Sequence, residues 1–357
     1  MKIAVLTDTH WGIRGDHDAF YSNFEKFYGN IFFPVLKDRS IKHVFHLGDL
    51  YDRRRYINFR TASEADRIFL KPLSNMVNTG EITDVTILAG NHDLYYRNVN
   101  DINSLNVLLG QYNFNVLTNP KVVTYGTRDI LFLPWICDSN KALTDTLVTS
   151  SNATVAMGHL ELSGYEMYRG VVQDHGMDAD YFSRFKSVYS GHYHHKSTKK
   201  NITYLGATGE YTWSDYNDPR GFHIYDTEDD SMEFIENPYT MFNIITYDDK
   251  EHASGYKEPL NVKDKFVKVL VINKTNPYIF DKFADALYKA EPLDVQIIED
   301  GLLNSVQDSQ TEETDLKDTL EIISDSVESM TTNLDKTILR KQIISLYNEA
   351  LAIGNNE

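Results

Sequence analysis

The feature that most restricts this chain is a recurring one: short apolar runs rich in Val, Ile and Leu, most of them closing on an Asp, a His or a Gly-His pair. Residues 2–8 (KIAVLTD), 43–49 (HVFHLGD) and 84–93 (DVTILAGNHD) have this form, as do 153–159 (ATVAMGH) and 187–192 (SVYSGH), with a further run at 129–133 (DILFL). Apolar runs of this length bounded by polar turn residues are buried-strand signals. Between the early runs, 17–38 and 60–78 carry apolar residues at three- and four-residue spacings, which predicts helices. The alternation predicts an α/β layered domain with helices outside a central sheet. In such folds ligands gather beyond the carboxyl ends of the strands.

That edge is where the chemistry is written. Asp8-Thr9-His10, Gly48-Asp49, Gly90-Asn91-His92-Asp93, Gly158-His159 and Gly191-His192-Tyr193-His194 each follow a strand-like run. Any one of them alone reads as a polar turn, since Gly, Asn and Asp favour turns. All five in this order are hard to explain structurally. Mixed oxygen and imidazole donors suit Mn, Fe or Zn better than Ca or a thiophilic metal. Asp8 and His10 can point the same way because side chains alternate along a strand, and His192 and His194 share that spacing. Counting ligands gives two cations: Asp8, His10, Asp49 and His194 for one, and Asp49, Asn91, His159 and His192 for the other. Asp49 is the natural bridge. Two ions about 3.5–4 Å apart clamp a phosphoryl oxygen and activate water for in-line attack. His92 is left over from coordination, so its expected role is to protonate the leaving oxygen or stabilise the transition state, with Asp93 orienting its ring.

The rest of the chain adds organisation. Residues 203–248 read as short strands, and 266–273, 279–290 and 293–299 as strand, helix and strand. The expected division is a catalytic domain over 1–248, a small α+β capping domain over 249–300, an acidic linker over 301–333 and a terminal helix within 334–357. Leu339, Ile343, Leu346 and Tyr347 share one face of that helix; such a face by default packs on its own domain, and its position beyond a charged linker favours docking on a partner instead. The net charge is −17, and between Glu299 and Glu328 ten acidic residues are answered by Lys317 alone. An acidic balance argues against a nonspecific polyanion binder, although bound divalent metal inverts the local field. The single cysteine, Cys137, excludes an internal disulfide and a Cys-based zinc site, and reads as a buried small residue. No apolar run approaches the roughly 18 residues that span a bilayer. Asp8 and His10 interrupt the N-terminal run with no small-residue cleavage site after it, so the expected location is the cytoplasm.

The pattern DTH…GDLYD…GNHD…GH…GHYH resembles the calcineurin-like metallophosphoesterase family, and within it the SbcD-type DNA-repair nucleases, phage recombination endonuclease subunits included. More diffuse similarity runs through LPW at 133–135, GHLELSGY at 158–165 and NDPRGF at 217–222. The resemblance implies a layered metallophosphoesterase sandwich, and an endo- and exonuclease using two divalent ions, Mn with Mg as the alternative. It implies homodimerisation, DNA as substrate, and an SMC-like ATPase of SbcC type as partner. In a phage-encoded protein the location would be the host cytoplasm. His92 falls at the family's catalytic histidine. Asp52 stands where family members often carry His or Ser facing the substrate, and Gly206-Ala207-Thr208 lacks a proline often seen there, which leaves Tyr211 and Trp213 as candidate DNA-facing aromatics.

Further DNA contacts are expected from Arg53 and Arg54 (with Arg55) and from Tyr95, Tyr96 and Arg97, where aromatic rings and arginines follow metal motifs. His195 is not expected to be a ligand, and His175 reads as a loop or core histidine. The alternative enzyme is a phosphomonoesterase or protein phosphatase with nearly the same ligands. Such phosphatases usually read GNHE and GDxVDRG, against GNHD and GDLYDRR here. A non-catalytic scaffold would be marked by a missing ligand or a missing His92, and none is missing.

Overall fold

A computed structural model describes residues 1–250, 261–299 and Lys336. The expected linker and the docking residues Leu339, Ile343, Leu346 and Tyr347 lie outside the described residues. Two six-stranded sheets carry the fold. In spatial order the first is Met232–Glu236, Gly221–Asp226, Lys2–Leu6, His43–His46, Asp84–Leu88 and Asn115–Leu117. The second is Ser197–Lys199, Ile202–Tyr204, Ser187–Gly191, Val155–His159, Arg128–Leu133 and Lys121–Tyr125. The strands that precede the five motifs pair in parallel within their own sheets: Lys2–Leu6 with His43–His46, that strand with Asp84–Leu88, and Val155–His159 with Ser187–Gly191. Parallel neighbours bring their carboxyl ends to one edge, so the motifs are gathered there by topology.

Period-two alternation divides each strand between two cores. Ile3, Val5, Phe45 and Leu88 face Ile130, Phe132, Val155 and Met157 in a core between the sheets. Ala4, Leu6, Val44 and Ile87 point the other way, onto Phe20, Phe24, Phe27, Phe32 and Phe69 of the helical layer. On the outer face of the second sheet Leu133, Ala156 and Val188 meet Val148, Phe182 and Phe185. Side chains buried to this degree contribute roughly 1.5–3 kcal/mol each, which fixes strand register against a one-residue slip. The result is the expected layered α/β sandwich.

The predicted helices form as Asp18–Phe27 and Phe33–Asp38 joined by a π-turn at Tyr28–Phe32, and as Phe59–Ala65 and Lys71–Asn78 joined by another at Asp66–Leu70. Pro34 and Pro72 sit in the first turn after each π-turn, where the missing N–H of proline is tolerated. Met1–Ile298 is one compact unit. Within it, Phe242–Asp248 runs parallel to Phe266–Asn273 in a three-stranded sheet completed by Asp294–Glu299. The helix Pro277–Lys289 covers that sheet through Phe280, Phe283 and Leu287.

Candidate metal centre

The motif residues are positioned by backbone that has left the strands. The first strand ends at Leu6, and Asp8 (φ 51°) and His10 (φ 45°) both adopt left-handed conformations, as do Asp49 (φ 55°) and His192 (φ 88°). Strand alternation is therefore not what aims Asp8 and His10 together, contrary to the sequence-based expectation. Successive left-handed turns do it. Asp and His are among the non-glycine residues that tolerate this region. Each such residue costs of order 1–3 kcal/mol and must be held by its surroundings.

Specific bonds do the holding. Asp8 N donates to Gly48 O (3.0 Å), His10 N to Asp49 O (3.2 Å) and Asp52 N to Trp11 O (3.0 Å). The Tyr211 hydroxyl donates to Asp8 O (2.8 Å) and Thr9 O (3.1 Å). His192 N donates to the Asp8 carboxylate (3.1 Å). Gly48 (φ 105°) is needed here twice over, because a Cβ on it would lie 2.5 Å from His159 Nδ1 and 2.8 Å from Gly90 Cα.

The structure brings the predicted ligands into two groups, and His10, Asp52 and His92 form a third set of donor atoms within 4.8 Å of one another. In one, His10 Nε2 lies 3.1 Å from His194 Nε2, 3.9 Å from Asp8 Oδ1 and 3.7 Å from Asp49 Oδ2. In the other, Asn91 Oδ1 lies 3.0 Å from both His159 Nε2 and His192 Nδ1, and His159 Nε2 is 3.2 Å from Asp49 Oδ2. Asp8, His10 and His194 each offer one ligand atom within 4.8 Å of the others, and so do Asp49, His159 and His192. Asp49 reaches both clusters. The donors are carboxylate and amide oxygens and imidazole nitrogens, several with lone pairs facing one another in a buried site. That set fits divalent cations.

The electrostatics agree. Burial opposes charge on His10, but the hydrogen bond to Asp52 and the charges of Asp49, Asp52 and Asp8 outweigh it and push its pKa up to about 9. His159 is likewise pushed up to about 9, against burial, by the charge and hydrogen bond of Asp49. Burial raises the Asp49 carboxyl, yet His159, His92 and His10 hold it well below its usual range. Burial and the neighbouring His10 push His194 far down. The carboxylates thus favour positive charge on His10 and His159, while burial holds His92 and His194 neutral beside them.

Second-layer contacts fix the ring orientations. His159 Nδ1 donates to Leu47 O (2.8 Å), and His92 Nδ1 to Asp52 O (2.5 Å). The Asp52 side chain is buried and lies 3.5 Å from His10 Nδ1. Asp52 thus lies beside His10 and His92. Asp93 does not orient His92. Its carboxylate accepts from Asp49 N (2.9 Å), Gly90 N (2.9 Å), Leu50 N (3.2 Å) and Tyr51 N (3.3 Å), which leaves it turned into the loop backbone. His92 N in turn donates to Asp49 Oδ1 (2.8 Å). The rings of His92 and His10 meet edge to face at 4.9 Å.

Among the expected DNA contacts, Arg53 is half-buried with its guanidinium 5.0 Å over the Tyr56 ring. Arg54 is half-buried and close enough to His92 to act on its ionisation. Tyr95, Tyr96 and Arg97 are exposed. Tyr211 is fully buried, with its hydroxyl on the loop carbonyls and its ring edge-on to His10 (5.8 Å) and His194 (5.7 Å), and Trp213 packs on Phe242 at 4.8 Å. His195 bonds Asp218 (2.8 Å) away from the ligand clusters, His175 is exposed, and Cys137 is buried. Two residues that the sequence reading left without a role also flank the site: Trp135, whose ring lies 5.2 Å from that of His192, and Glu161, 3.9 Å from His192 Nε2. Both sit in segments that carried the family resemblance, which was the available signal.

The profile of the calcineurin-like phosphoesterases matches residues 1–196. Over 355 residues the chain is 30% identical to exonuclease subunit 1 of Enterobacteria phage T4, covering 98% of this chain and 99% of that one. Among solved structures, a purple acid phosphatase from yellow lupin (Lupinus luteus) seeds is 12% identical over 66% of this chain and 51% of its own, with a TM-score of 0.41. An archaeal phosphodiesterase is 11% identical over 66% of this chain and 99% of its own, with a TM-score of 0.33.

Proposed function

The chain belongs to the calcineurin-like phosphoesterase family, and on that premise we propose that it is the nuclease subunit of a DNA-processing complex, hydrolysing phosphodiester bonds of DNA endo- and exonucleolytically. The observation that carries the proposal is the convergence of Asp8, His10, Asp49, Asn91, His159, His192 and His194 on one buried edge with His92 beside them. Full-length similarity to a phage exonuclease subunit supports DNA as the substrate. Asp8, His10, Asp49 and His194 would hold one divalent ion and Asp49, Asn91, His159 and His192 the other; the donors suit Mn, Fe or Zn, and the family resemblance selects Mn. Bound there, the ions supply Lewis-acid polarisation of a phosphoryl oxygen and a water that ionises near neutral pH.

The chain's own residues do the rest. With Nδ1–H committed to the Asp52 carbonyl, His92 presents Nε2 to the site, and it delivers a proton to the leaving oxygen once that nitrogen is protonated, against the burial that lowers its pKa. The Leu47 carbonyl fixes His159 with Nε2 toward the second cluster. Arg54 and Arg53, beside the Asp49 loop, and Tyr95 and Arg97, beyond Asn91, are placed by this reading on the DNA. A homodimer belongs to it as well. Phe59 and Val107, 95% and 75% exposed, are apolar side chains that a second copy would cover. An SbcC-type ATPase, docking on residues 334–357, and a cytoplasmic location complete the proposal. Among the described residues no helix is long and apolar enough to cross a membrane.

The test is cleavage of a labelled duplex with Mn²⁺, with Mg²⁺ and with chelator, with p-nitrophenyl phosphate as a monoester control. Chelation should abolish cutting. His92→Ala should lower kcat by about 10²–10⁴ while calorimetry shows metal binding retained. Strong monoester hydrolysis with no DNA cutting, even with the ATPase present, would make the protein a phosphatase.

A further inference from the structure

Next to the ligand clusters is a cavity of about 120 Å³ lined by Trp135, Ile136, Leu160 and Met177, together with His159 and Glu161. Its walls are fixed. Trp135 N donates to Ala89 O (2.8 Å) and Trp135 O accepts from Asn140 Nδ2 (2.9 Å), so the residue bearing the indole is pinned on both sides. Met177 N donates to Glu161 O (2.9 Å) and Ser163 N to Met177 O (3.1 Å). Gly176 (φ 109°) brings the two chains together there, since a Cβ on it would lie 2.7 Å from Glu161 O.

The lining states what such a cavity accepts. An indole, a thioether and two branched aliphatic side chains favour a flat apolar body, and sulfur packs well on aromatic rings. The one carboxylate, Glu161, repels a phosphate and accepts hydrogen bonds from neutral N–H groups. The indole is 5.2 Å from the His192 ring and 6.2 Å from that of His159, which sets the cavity directly beside the ligands that would hold the scissile phosphate.

We propose that this cavity receives the base of the nucleotide adjoining the scissile phosphate, stacked on Trp135 with Glu161 accepting one of its N–H groups. The inference rests on the nuclease reading and adds a base subsite to it. Stacking tolerates any sequence, whereas a carboxylate acceptor favours bases with exocyclic amines, cytosine above all.

The experiment compares duplexes with a normal or an abasic nucleotide on either side of one cleavage position. The native protein should lose about 5- to 150-fold in kcat/KM when the base on one side is missing. Trp135→Ala should lose a similar factor on the normal duplex and little more on the abasic one. In chelated protein, deoxyadenosine 5′-monophosphate should quench tryptophan emission saturably, deoxyribose 5-phosphate should not, and Trp135→Phe should remove most of the change. Equal cutting of normal and abasic duplexes overturns the subsite, and so does an equal loss by Trp135→Ala on both. If Trp135→Ala no longer binds metal, the abasic comparison in native protein and the quenching decide. No cutting of any duplex alongside intact hydrolysis of bis(p-nitrophenyl) phosphate would instead overturn the nuclease reading.

Discussion

Asp93 offers the sharpest test of how this site is built. Four backbone amides, those of Asp49, Leu50, Tyr51 and Gly90, donate to its buried carboxylate. In Asp93→Ala all four lose their acceptor in a buried loop. At the low end of the cost of a buried unsatisfied amide, about 1 kcal/mol each, the loss comes to about 4 kcal/mol of folding stability. Asp93→Asn keeps one acceptor oxygen and turns an NH₂ group toward the remaining amides, so about half that loss is expected. Urea unfolding monitored by circular dichroism, with chelator present, measures both. Because the 49–51 loop carries Asp49, metal affinity measured by calorimetry should fall in the same order, Ala below Asn below native. If Asp93 instead oriented His92, Asp93→Asn would leave stability and metal affinity near native and alter only the proton-transfer step. An Asp93→Ala protein within about 1 kcal/mol of native would refute the loop-anchoring argument.

Three other substitutions probe the surrounding structure. In Gly90→Ala the backbone is unstrained, but the new Cβ meets the Asp49 carboxylate and amide. Overpacking of about 1–3 kcal/mol should displace Asp49 and weaken metal binding roughly tenfold or more by calorimetry. Tyr211→Phe removes the donor to Asp8 O and Thr9 O and should cost about 1–3 kcal/mol in urea unfolding. Glu210 is buried, and burial pushes its carboxyl up to about 7 despite the amides of Met241 and Phe242. A pKa raised on folding gives stability that is full below the unfolded value of 4.5 and lost as pH rises through 7. The stability of the native protein relative to Glu210→Gln should therefore fall by up to about 3 kcal/mol between pH 4.5 and 8.

The strands and the ligand types were legible because both are local. Ile3, Val5, Phe45 and Val155 announce buried strands by run length, and Asp, Asn and His just past those runs announce an edge that binds cations. What binds these side chains into a working geometry was not legible, because the partners are backbone atoms brought from elsewhere: Leu47 O for His159, Asp52 O for His92, and the amides of residues 49–51 for Asp93. A carbonyl has no sequence signature. Tyr211 misled for a related reason. An aromatic near a functional loop reads as a ligand contact, yet its hydroxyl is committed to two carbonyls two hundred residues away in sequence.

The left-handed conformations of Asp8, His10, Asp49 and His192 link these anchors to function. Four strained residues at about 1–3 kcal/mol each would relax to extended backbone if nothing opposed them, and the ligand atoms would part. Asp93 holds the backbone at Asp49, Tyr211 holds it at Asp8, and the Asp8 carboxylate holds it at His192. Of the carboxylates that anchor this backbone, Asp8 is also among those that push the His10 and His159 pKa values up and so favour protons there. Cations entering the pocket displace those protons, so metal affinity should rise with pH, and a chain with a net charge of −17 can meet an anionic substrate through the positive charge concentrated at this one edge.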